Sequence, residues 1–266
     1  MDGAPPILEV TDLHTGYGEA LVLRGVDAVF APGRITCVVG GSGSGKSTLL
    51  RSIVGLLPPR RGAVRLLGED PYAVEGEARA ALLARVGFMF QDGALLGSLT
   101  VADNLAIPLL AHTALPPDVV SEIVRQKLAQ VGLAAAAGRR PRELSGGMRK
   151  RVGLARALAL DPPLVLCDEP SAGLDPVTAA QLDALLLRLR GALGTTMVVV
   201  THEVASIRAI ADDVVMLADG VVRFAGPLDA ALASTDPALV AFFERAPAPE
   251  TVRERSLWDL LTAGSP

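Results

Sequence analysis

Residues 40–48 read Gly40-Gly41-Ser42-Gly43-Ser44-Gly45-Lys46-Ser47-Thr48, and they fit the pattern Gly-x4-Gly-Lys-Ser/Thr. They follow the apolar run Ile35 to Val39 and open a predicted helix over 47–54, which is the context that the pattern requires. The glycines allow successive backbone N–H groups to face one anion, and the helix N-terminus adds partial positive charge. Lys46 supplies a charge for the β- and γ-phosphates of a nucleotide, and the Ser47 hydroxyl is placed for Mg²⁺. We therefore expect a phosphate-binding loop here, the alternative being a Gly/Ser-rich loop with a chance lysine.

Short β-branched runs alternate with helical patterns on both sides of this loop. Apolar strands separated by helices indicate a mostly parallel sheet that is covered on both faces. The opening strands and the turn Ala218-Asp219-Gly220 add antiparallel hairpins. The predicted class is therefore α/β, with a mixed sheet and an antiparallel part. The predicted strands are Ile7–Leu13, Val22–Phe30, Ile35–Val39, Ala63–Leu67, Val86–Phe90, Leu164–Cys167, Met197–Val200 and Val214–Leu217.

The pattern becomes helical from about residue 93 to 160, which predicts a helical subdomain inserted into the sheet domain. Helical spacing is clearest in 119–131 and 147–160. We expect one domain over 1–245. Residues 246–266 begin with Ala-Pro-Ala-Pro-Glu, which predicts a stiff linker, and continue with a short helical tail that carries Trp258.

Composition excludes several other classes of protein. The chain has 266 residues, of which 50% are hydrophobic and 20% charged, and this argues against disorder. Its formal net charge is -4, so the chain has no general electrostatic attraction to the phosphates of a nucleic acid, and we expect no nucleic-acid partner. The longest stretch without Asp, Glu, Lys or Arg, Asn104–Pro117, is shorter than the roughly 20 residues of a membrane span. Cys37 and Cys167 lie in apolar runs, so we expect buried, inert thiols.

Two adjacent carboxylates follow a second apolar strand. Asp168 and Glu169 end the run Leu164-Val-Leu-Cys. Across a sheet from the phosphate loop, one carboxylate can help to hold Mg²⁺ and the other can orient and deprotonate a water molecule. Without the phosphate loop, a solvated acidic turn would be the better interpretation.

The stretch Leu144-Ser145-Gly146-Gly147-Met148 decides the family. Alone it could be a helix N-terminus that Ser145 caps. Taken with Gln91 after one strand and His202 after another, it resembles the ATP-binding subunit of an ABC transporter over residues 7–226. That resemblance implies the P-loop NTPase fold of an ABC cassette over 1–245, with a RecA-like core.

The resemblance also implies a role for each matched residue. Tyr17 matches the aromatic residue that stacks on adenine, although an ordinary strand-end tyrosine is the alternative. Gln91 matches the residue that contacts Mg²⁺ and links the two lobes. Asp168 matches the acid near the metal, Glu169 the general base, and His202 the residue that touches the γ-phosphate.

Two further segments imply a dimer. A helix that starts at Ser145, Gly146 and Gly147 offers N–H donors to a second anion. In this family it faces the γ-phosphate held by the other subunit, so ATP joins two copies of the chain. Ser171-Ala-Gly-Leu-Asp175 matches the loop that signals across that dimer.

The unusual residues Met148 to Ala157, together with Phe90 to Val101 and the continuation Asp103 to Leu109, resemble the MlaF-type ATPases of Mla/Mce-linked lipid transporters. This implies a MlaE-type integral-membrane permease that holds the chain at the cytoplasmic face of the inner membrane. The segment Gly93–Leu99 would then lie at the groove for a permease helix. The tail resembles an extension that reaches the partner cassette and a small STAS-domain protein, with a frayed terminal helix as the alternative.

Two other functions stay open at this point. One is the ATPase of an importer for a polar nutrient such as an amino acid. The other is a regulatory ABC ATPase that never meets a membrane. Repair and chromosome-organising relatives are disfavoured, because they insert long coiled coils between the phosphate loop and the acidic strand.

Overall fold

Two β-sheets organise the computed structural model, which describes residues 5–244. An antiparallel sheet has the order β2-β1-β4, and a larger sheet has the order β5-β6-β7-β3-β8-β9. The larger sheet is parallel except for β9. In chain order the strands are β1 Leu8–Tyr17, β2 Ala20–Phe30, β3 Ile35–Val39, β4 Arg61–Leu66, β5 Val86–Met89, β6 Leu164–Asp168, β7 Thr196–Val200, β8 Asp213–Ala218 and β9 Val221–Pro227.

Helices cover the larger sheet, and each of its faces has its own apolar core. In β3 the side chains of Ile35, Cys37 and Val39 belong to one core, whereas Val38 belongs to the other. This alternation is the reason that every residue of β3 is buried, including Thr36. The helices are α1 Lys46–Ile53, α2 Gly76–Ala84, α3 Val101–His112, α4 Pro117–Gln130, α5 Gly146–Ala157, α6 Pro176–Leu193, α7 Val204–Ile210, α8 Leu228–Leu232 and α9 Pro237–Glu244.

The strand order brings the functional segments to one edge. Strand β7 lies between β3 and β6 and pairs with both in parallel. The carboxyl ends of parallel strands meet at one edge, and ligands of open α/β sheets bind there. The residues after β3, β5, β6 and β7 therefore gather at that edge, and they include the phosphate loop and Gln91, Glu169 and His202.

The predicted hairpin at the end of the sheet is confirmed. Asp219 and Gly220 join β8 to β9 with φ angles of 51° and 79°, so both lie in the left-handed region that a two-residue type I′ turn requires. Gly220 also approaches the antiparallel sheet, because its carbonyl accepts a 2.8 Å hydrogen bond from the Arg24 backbone. The turn thus fastens the antiparallel sheet to the edge of the larger one.

Helices α3, α4 and α5 lie between β5 and β6 in the chain, which is where the sequence predicts helices. The predicted helix over 119–131 is Pro117–Gln130, and the one over 147–160 is shorter than predicted, Gly146–Ala157. None of the described helices combines the length and the apolar character needed to cross a bilayer. The predicted linker and tail over 246–266 lie outside the described residues.

Both cysteines are buried in the sheet, as the sequence predicts. Cys37 lies in β3 and Cys167 in β6, and neither forms a disulfide. Burial raises the pKa of the Cys167 thiol to about 12, with a smaller contribution from the charge of Asp168. The pKa of Cys37 is raised as well, again mainly by burial.

Candidate nucleotide site

The glycines of the phosphate loop serve two different purposes. A Cβ atom on Gly40 would lie 2.1 Å from the Leu217 carbonyl oxygen, and one on Gly45 would lie 2.5 Å from Cδ2 of Leu23. At Gly41 and Gly43, by contrast, a Cβ atom would meet nothing within 4 Å. The first pair lets the loop pack against the strands, and the second leaves backbone N–H groups open to a ligand.

Lys46 folds back over the crest of this loop. Its Nζ donates to the carbonyl oxygens of Gly40 at 2.9 Å and Gly41 at 2.8 Å. Burial lowers its pKa, and the negative charges of Glu169 and Asp168 oppose that shift. The Lys46 amine is thus already directed at the loop, and it interacts electrostatically with Asp168 and Glu169. The cleft beside it has a volume of about 280 Å³ and is lined by Val22, Gly43, Gly45, Lys46, Ser47 and Thr48.

Tyr17 ends β1 beside helix α1. Its hydroxyl accepts a 2.6 Å hydrogen bond from Nη1 of Arg51, whose guanidinium carbon lies 5.9 Å from the ring centroid. The side chain is 44% exposed. An exposed ring held at its polar end leaves a face on which a planar base can stack.

The acidic pair is held in an unusual conformation. Glu169 has a φ of 48°, in the left-handed region that a residue with a side chain rarely adopts. Its Oε1 lies 2.9 Å from Nδ1 of His202, while Oε2 is buried and has no hydrogen-bond partner in the part of the chain described. Burial, and then the charge of Glu169, raises the pKa of Asp168. The positive charges of Arg51, Lys46 and Lys150 offset the rise in the pKa of Asp168 only in part, and Oε2 of Glu169 is an unused acceptor among the described residues.

Gln91 follows β5 and is exposed, and its backbone carbonyl accepts a hydrogen bond from Nζ of Lys150. The same Nζ donates to the carbonyl of Glu169 at 3.0 Å. Sequence reasoning missed Lys150. Its one visible signal is a lysine among the inward-facing residues of a helix, and the two carbonyls that it binds leave no trace in the sequence.

The segment over 145–147 lies beside the loop that contains Asp175. Ser145 Oγ accepts a 3.2 Å hydrogen bond from the Met148 backbone and so caps α5. Asp175 caps α6 by accepting from the backbones of Val177 at 3.1 Å and Thr178 at 3.0 Å. Within residues 5–244, no hydrogen bond or ion pair joins either cap to the phosphate loop. One chain therefore has two separate helix N-termini that could bind an anion, one at the phosphate loop before α1 and one at Ser145 before α5.

The residues at the sheet edge fit a magnesium nucleotide. Within the described residues, the buried Oε2 of Glu169 and the buried Oγ of Ser44 have no hydrogen-bond partner. The raised pKa of Asp168 marks a carboxylate that a cation would stabilise. Among the described residues there is no group of three or more metal-binding His, Cys, Asp or Glu side chains. A Mg²⁺ ion would thus draw much of its coordination from phosphate oxygens, as it commonly does.

Comparison with known proteins agrees with this geometry. A family model described as "ABC transporter" matches residues 23–172. The "probable ribonucleotide transport ATP-binding protein mkl" of Mycobacterium tuberculosis is 39% identical over 235 residues, which are 88% of this chain and 66% of the relative. The chain thus spans just under two thirds of that relative's length.

Two other relatives are covered more fully. The "intermembrane phospholipid transport system ATP-binding protein MlaF" of Escherichia coli K12 is 39% identical over 238 residues, which are 90% of this chain and 88% of MlaF. A dimeric structure of the ATP-binding cassette MJ0796 in a post-hydrolysis state, bound to ADP and Pi, is 30% identical with a TM-score of 0.76. The match covers 83% of this chain and 98% of the MJ0796 chain. These findings confirm the predicted fold and family. The chain is an ATP-binding cassette that belongs to the ABC transporter family of ATPases.

Proposed function

We propose that two copies of this chain bind and hydrolyse Mg-ATP between them and thereby drive a membrane permease that moves phospholipid or another lipid. The observation that carries the hydrolytic part is the Glu169 carboxylate. One of its oxygens is held by His202, and the other is buried with no partner among residues 5–244. The lipid part is supported by the 39% identity to MlaF, which is named as the ATP-binding protein of an intermembrane phospholipid transport system.

Nucleotide binding falls to the phosphate loop and Tyr17. The open N–H groups around Gly41 and Gly43 donate hydrogen bonds to the phosphates, and Lys46 leaves the loop carbonyls to bind them. Tyr17 stacks on the base. Ser47, Asp168 and Gln91 would hold Mg²⁺, which when bound neutralises charge on the phosphates. The assignments of the phosphate loop, Asp168 and Gln91 agree with the gathering of the strand ends at one edge of the larger sheet.

Glu169 acts as the general base in this proposal. Its Oε2 accepts a proton from a water molecule aligned with the γ-phosphate, and His202 fixes the carboxylate through Oε1. His202 has an exposed ring and also reaches toward the γ-phosphate. The burial of Oε2 limits its contact with bulk water, which strengthens its interaction with a bound water molecule.

The second copy supplies the other anion site. Ser145, Gly146 and Gly147 are at the N-terminus of α5, where backbone N–H groups have no partner within the helix. In the assembled dimer they face the γ-phosphate on the partner, and Asp175 lies at the same junction. The dimeric structure of a similar cassette supports this arrangement.

A groove on the helical side is the proposed contact with the permease. It has a volume of about 400 Å³, and its lining is mainly apolar, including Phe88, Phe90 and Ile107. Ala94 of the predicted segment Gly93–Leu99 belongs to the lining. We assign residues 93–160 as the helical subdomain of a 1–245 cassette, with a MlaE-type permease seated in the groove. The chain would then lie at the cytoplasmic face of the inner membrane, and a STAS-domain protein would bind the tail.

Purification of a tagged Glu169→Gln variant from native membranes, in detergent with Mg-ATP, tests this function. The substitution removes the base and should preserve the ATP-bound complex. Mass spectrometry is expected to identify a multi-span permease, a small STAS-domain protein and phospholipid. A permease with a polar-solute binding protein would overturn the lipid assignment and agree with a relative named for ribonucleotide transport. Recovery with only non-membrane partners would overturn the transport role.

A further inference from the structure

One lysine at the site has no role in the function proposed so far. Lys150 is in α5, one turn after the helix begins, and is only 5% exposed. Its Nζ donates to the backbone carbonyls of Gln91 and Glu169, which lie 59 and 19 residues away in the chain. A buried amine that joins the ends of two strands to one helix restricts all three elements.

Both carbonyls belong to segments whose shape matters. Glu169 has a positive φ of 48°, so its backbone needs support from its surroundings. Its N–H donates to Val200 at 2.9 Å, and its carbonyl accepts from Ala172 at 3.2 Å as well as from Lys150. The orientation of this peptide sets the direction of the Glu169 side chain. The Gln91 carbonyl has Lys150 as its one hydrogen-bond donor among the described residues.

Helix α5 holds the rest of the Gln91 segment in a similar way. Two turns beyond Lys150, Arg156 donates to the carbonyls of Gly93 and Ala94, each at 2.8 Å. Between them, a Cβ atom on Gly153 would lie 3.0 Å from the Cα atom of Gly93, so the segment packs directly on the helix. The segment after β5 therefore follows any movement of α5.

Another buried lysine shows what a purely structural role looks like. Lys127 in α4 is 4% exposed, and its amine pairs with the largely exposed carboxylate of Asp161. That pair touches neither the acidic strand end nor the segment after β5. Lys150 differs because both of its acceptors are backbone atoms of residues with proposed roles in hydrolysis.

We propose that Lys150 is a positioning residue for hydrolysis, which sets the Glu169 carboxylate and the Gln91 segment from the helix whose N-terminus faces the partner's nucleotide. This inference rests on the function proposed above. The Ser145 end of α5 is one turn from Lys150. Closure of the dimer on that end would thus move the base of the same chain, which couples the two nucleotide sites.

The test is Lys150→Met in the full chain, with Lys127→Met as the matched control. Methionine keeps a long unbranched side chain and removes the donor. We expect kcat for ATP to fall about tenfold or more, and KM and the Kd for ATP to change less than about twofold, because geometry rather than binding is lost. Lys127→Met should keep kcat within about twofold while losing a comparable amount of thermal stability. Unchanged kcat in Lys150→Met, or an equal loss in Lys127→Met, would overturn the proposal.

A double-mutant cycle shows whether Lys150 acts through Glu169. In a Glu169→Gln background, single-turnover rates should fall less than about twofold on adding Lys150→Met, because the group being positioned is already absent. An undiminished loss there would rule out action through Glu169. Lys150→Arg keeps a long side chain with a donor, so it should retain more turnover per bound nucleotide than Lys150→Met. Equally low turnover in the two variants would contradict a role of Lys150 in positioning Glu169 and the Gln91 segment.

The same cycle separates the two proposals. Wild-type hydrolysis by Glu169→Gln alone would remove Glu169 as the base, and with it the proposed function. Failure of Lys150→Met to slow hydrolysis would leave that function intact.

Discussion

Oε1 of Glu169 lies 2.9 Å from Nδ1 of His202, and Oε2 of the same carboxylate is buried without a partner in residues 5–244. The two oxygens of one side chain therefore have different tasks. In the proposed function, the first fixes the carboxylate and the second accepts a proton. A glutamine at position 169 could keep the contact to His202 through its amide oxygen, but its amide nitrogen could not accept a proton in place of Oε2.

Glu169→Gln should keep ATP binding and lose on the order of 10²- to 10⁴-fold in turnover, which is the usual contribution of a general base. Steady-state phosphate release and equilibrium binding of ATP measure the two effects separately. Glu77→Gln changes the same charge on the exposed side of α2 and should leave both unchanged. Hydrolysis at the wild-type rate in Glu169→Gln would contradict the assignment.

Lys46→Met should abolish detectable nucleotide binding, because the loop then lacks its positive charge. The stability of the nucleotide-free protein should not fall sharply, since burial already lowers the pKa of this lysine and its charge is costly there. Differential scanning fluorimetry with and without Mg-ATP checks both statements. ATP should raise the Tm of the wild type by mass action and leave that of the variant unchanged. An equal shift in both would exclude Lys46 from the site.

Tyr17→Ala should weaken ATP binding by about 1–3 kcal/mol, which is the value of stacking a base on an aromatic ring. Tyr17→Phe is the matched control, because it removes only the hydroxyl that Arg51 binds and keeps the ring. Titration with a fluorescent ATP analogue labelled on the ribose gives both affinities. Equal affinities for the alanine variant and the wild type would show that the ring does not stack on the base.

Gly147→Ala should disturb the junction between α5 and α6, because the new Cβ atom would lie 2.6 Å from Cγ2 of Thr178. Overpacking of this kind costs about 1–3 kcal/mol, more than the helix propensity of alanine gains. In the Glu169→Gln protein, Gly147→Ala should therefore weaken ATP-dependent dimerisation, which size-exclusion chromatography measures. Adding Thr178→Ser removes the clashing methyl group and should restore the dimer, so a double variant as weak as the single one would refute the clash.

Asp183→Asn should stabilise the protein in a pH-dependent way. Asp183 is 6% exposed, its Oδ1 has no hydrogen-bond partner in the described structure, and burial raises its pKa. The folded state therefore binds this proton more tightly than the unfolded chain. Its contribution to the free energy of unfolding falls as pH rises from the ordinary carboxyl range through the raised pKa.

The gain in Tm from Asp183→Asn should accordingly be larger at about pH 8 than at about pH 4, where the native carboxyl is already protonated. Thermal unfolding at the two pH values measures it. The exposed Asp118→Asn in α4 is the control and should give no gain in Tm at pH 8. A gain that is the same at both values would show that the buried charge is not the cause.

The strands that carry the site were predictable because short apolar runs are bounded by turns. Strand β3 has its predicted bounds, and β6 extends one residue further, to Asp168. Helix α6 was not predicted, although Leu182, Leu185 and Leu189 repeat at helical spacing after a capping aspartate. An analysis of hydrophobic periodicity over a window as long as this helix would have predicted it.

Other features of the site have no local signal in the sequence. The positive φ of Glu169 is imposed by its neighbours, since a glutamate does not favour that region by itself. The bond from Lys150 to the Gln91 carbonyl joins residues far apart in the chain and involves a backbone atom that every residue has. Such contacts follow from the packing of α5 on the sheet edge and require the three-dimensional structure.

The burial of both cysteines has a practical consequence for measuring conformational change in this protein with site-specific labels. Thiols inside the sheet, with raised pKa values, form little of the reactive thiolate at neutral pH. A cysteine introduced on an exposed turn would therefore react with a maleimide far faster than the native pair. Fluorescent or spin labels could report the distance between two cassettes during turnover without any change to the native thiols.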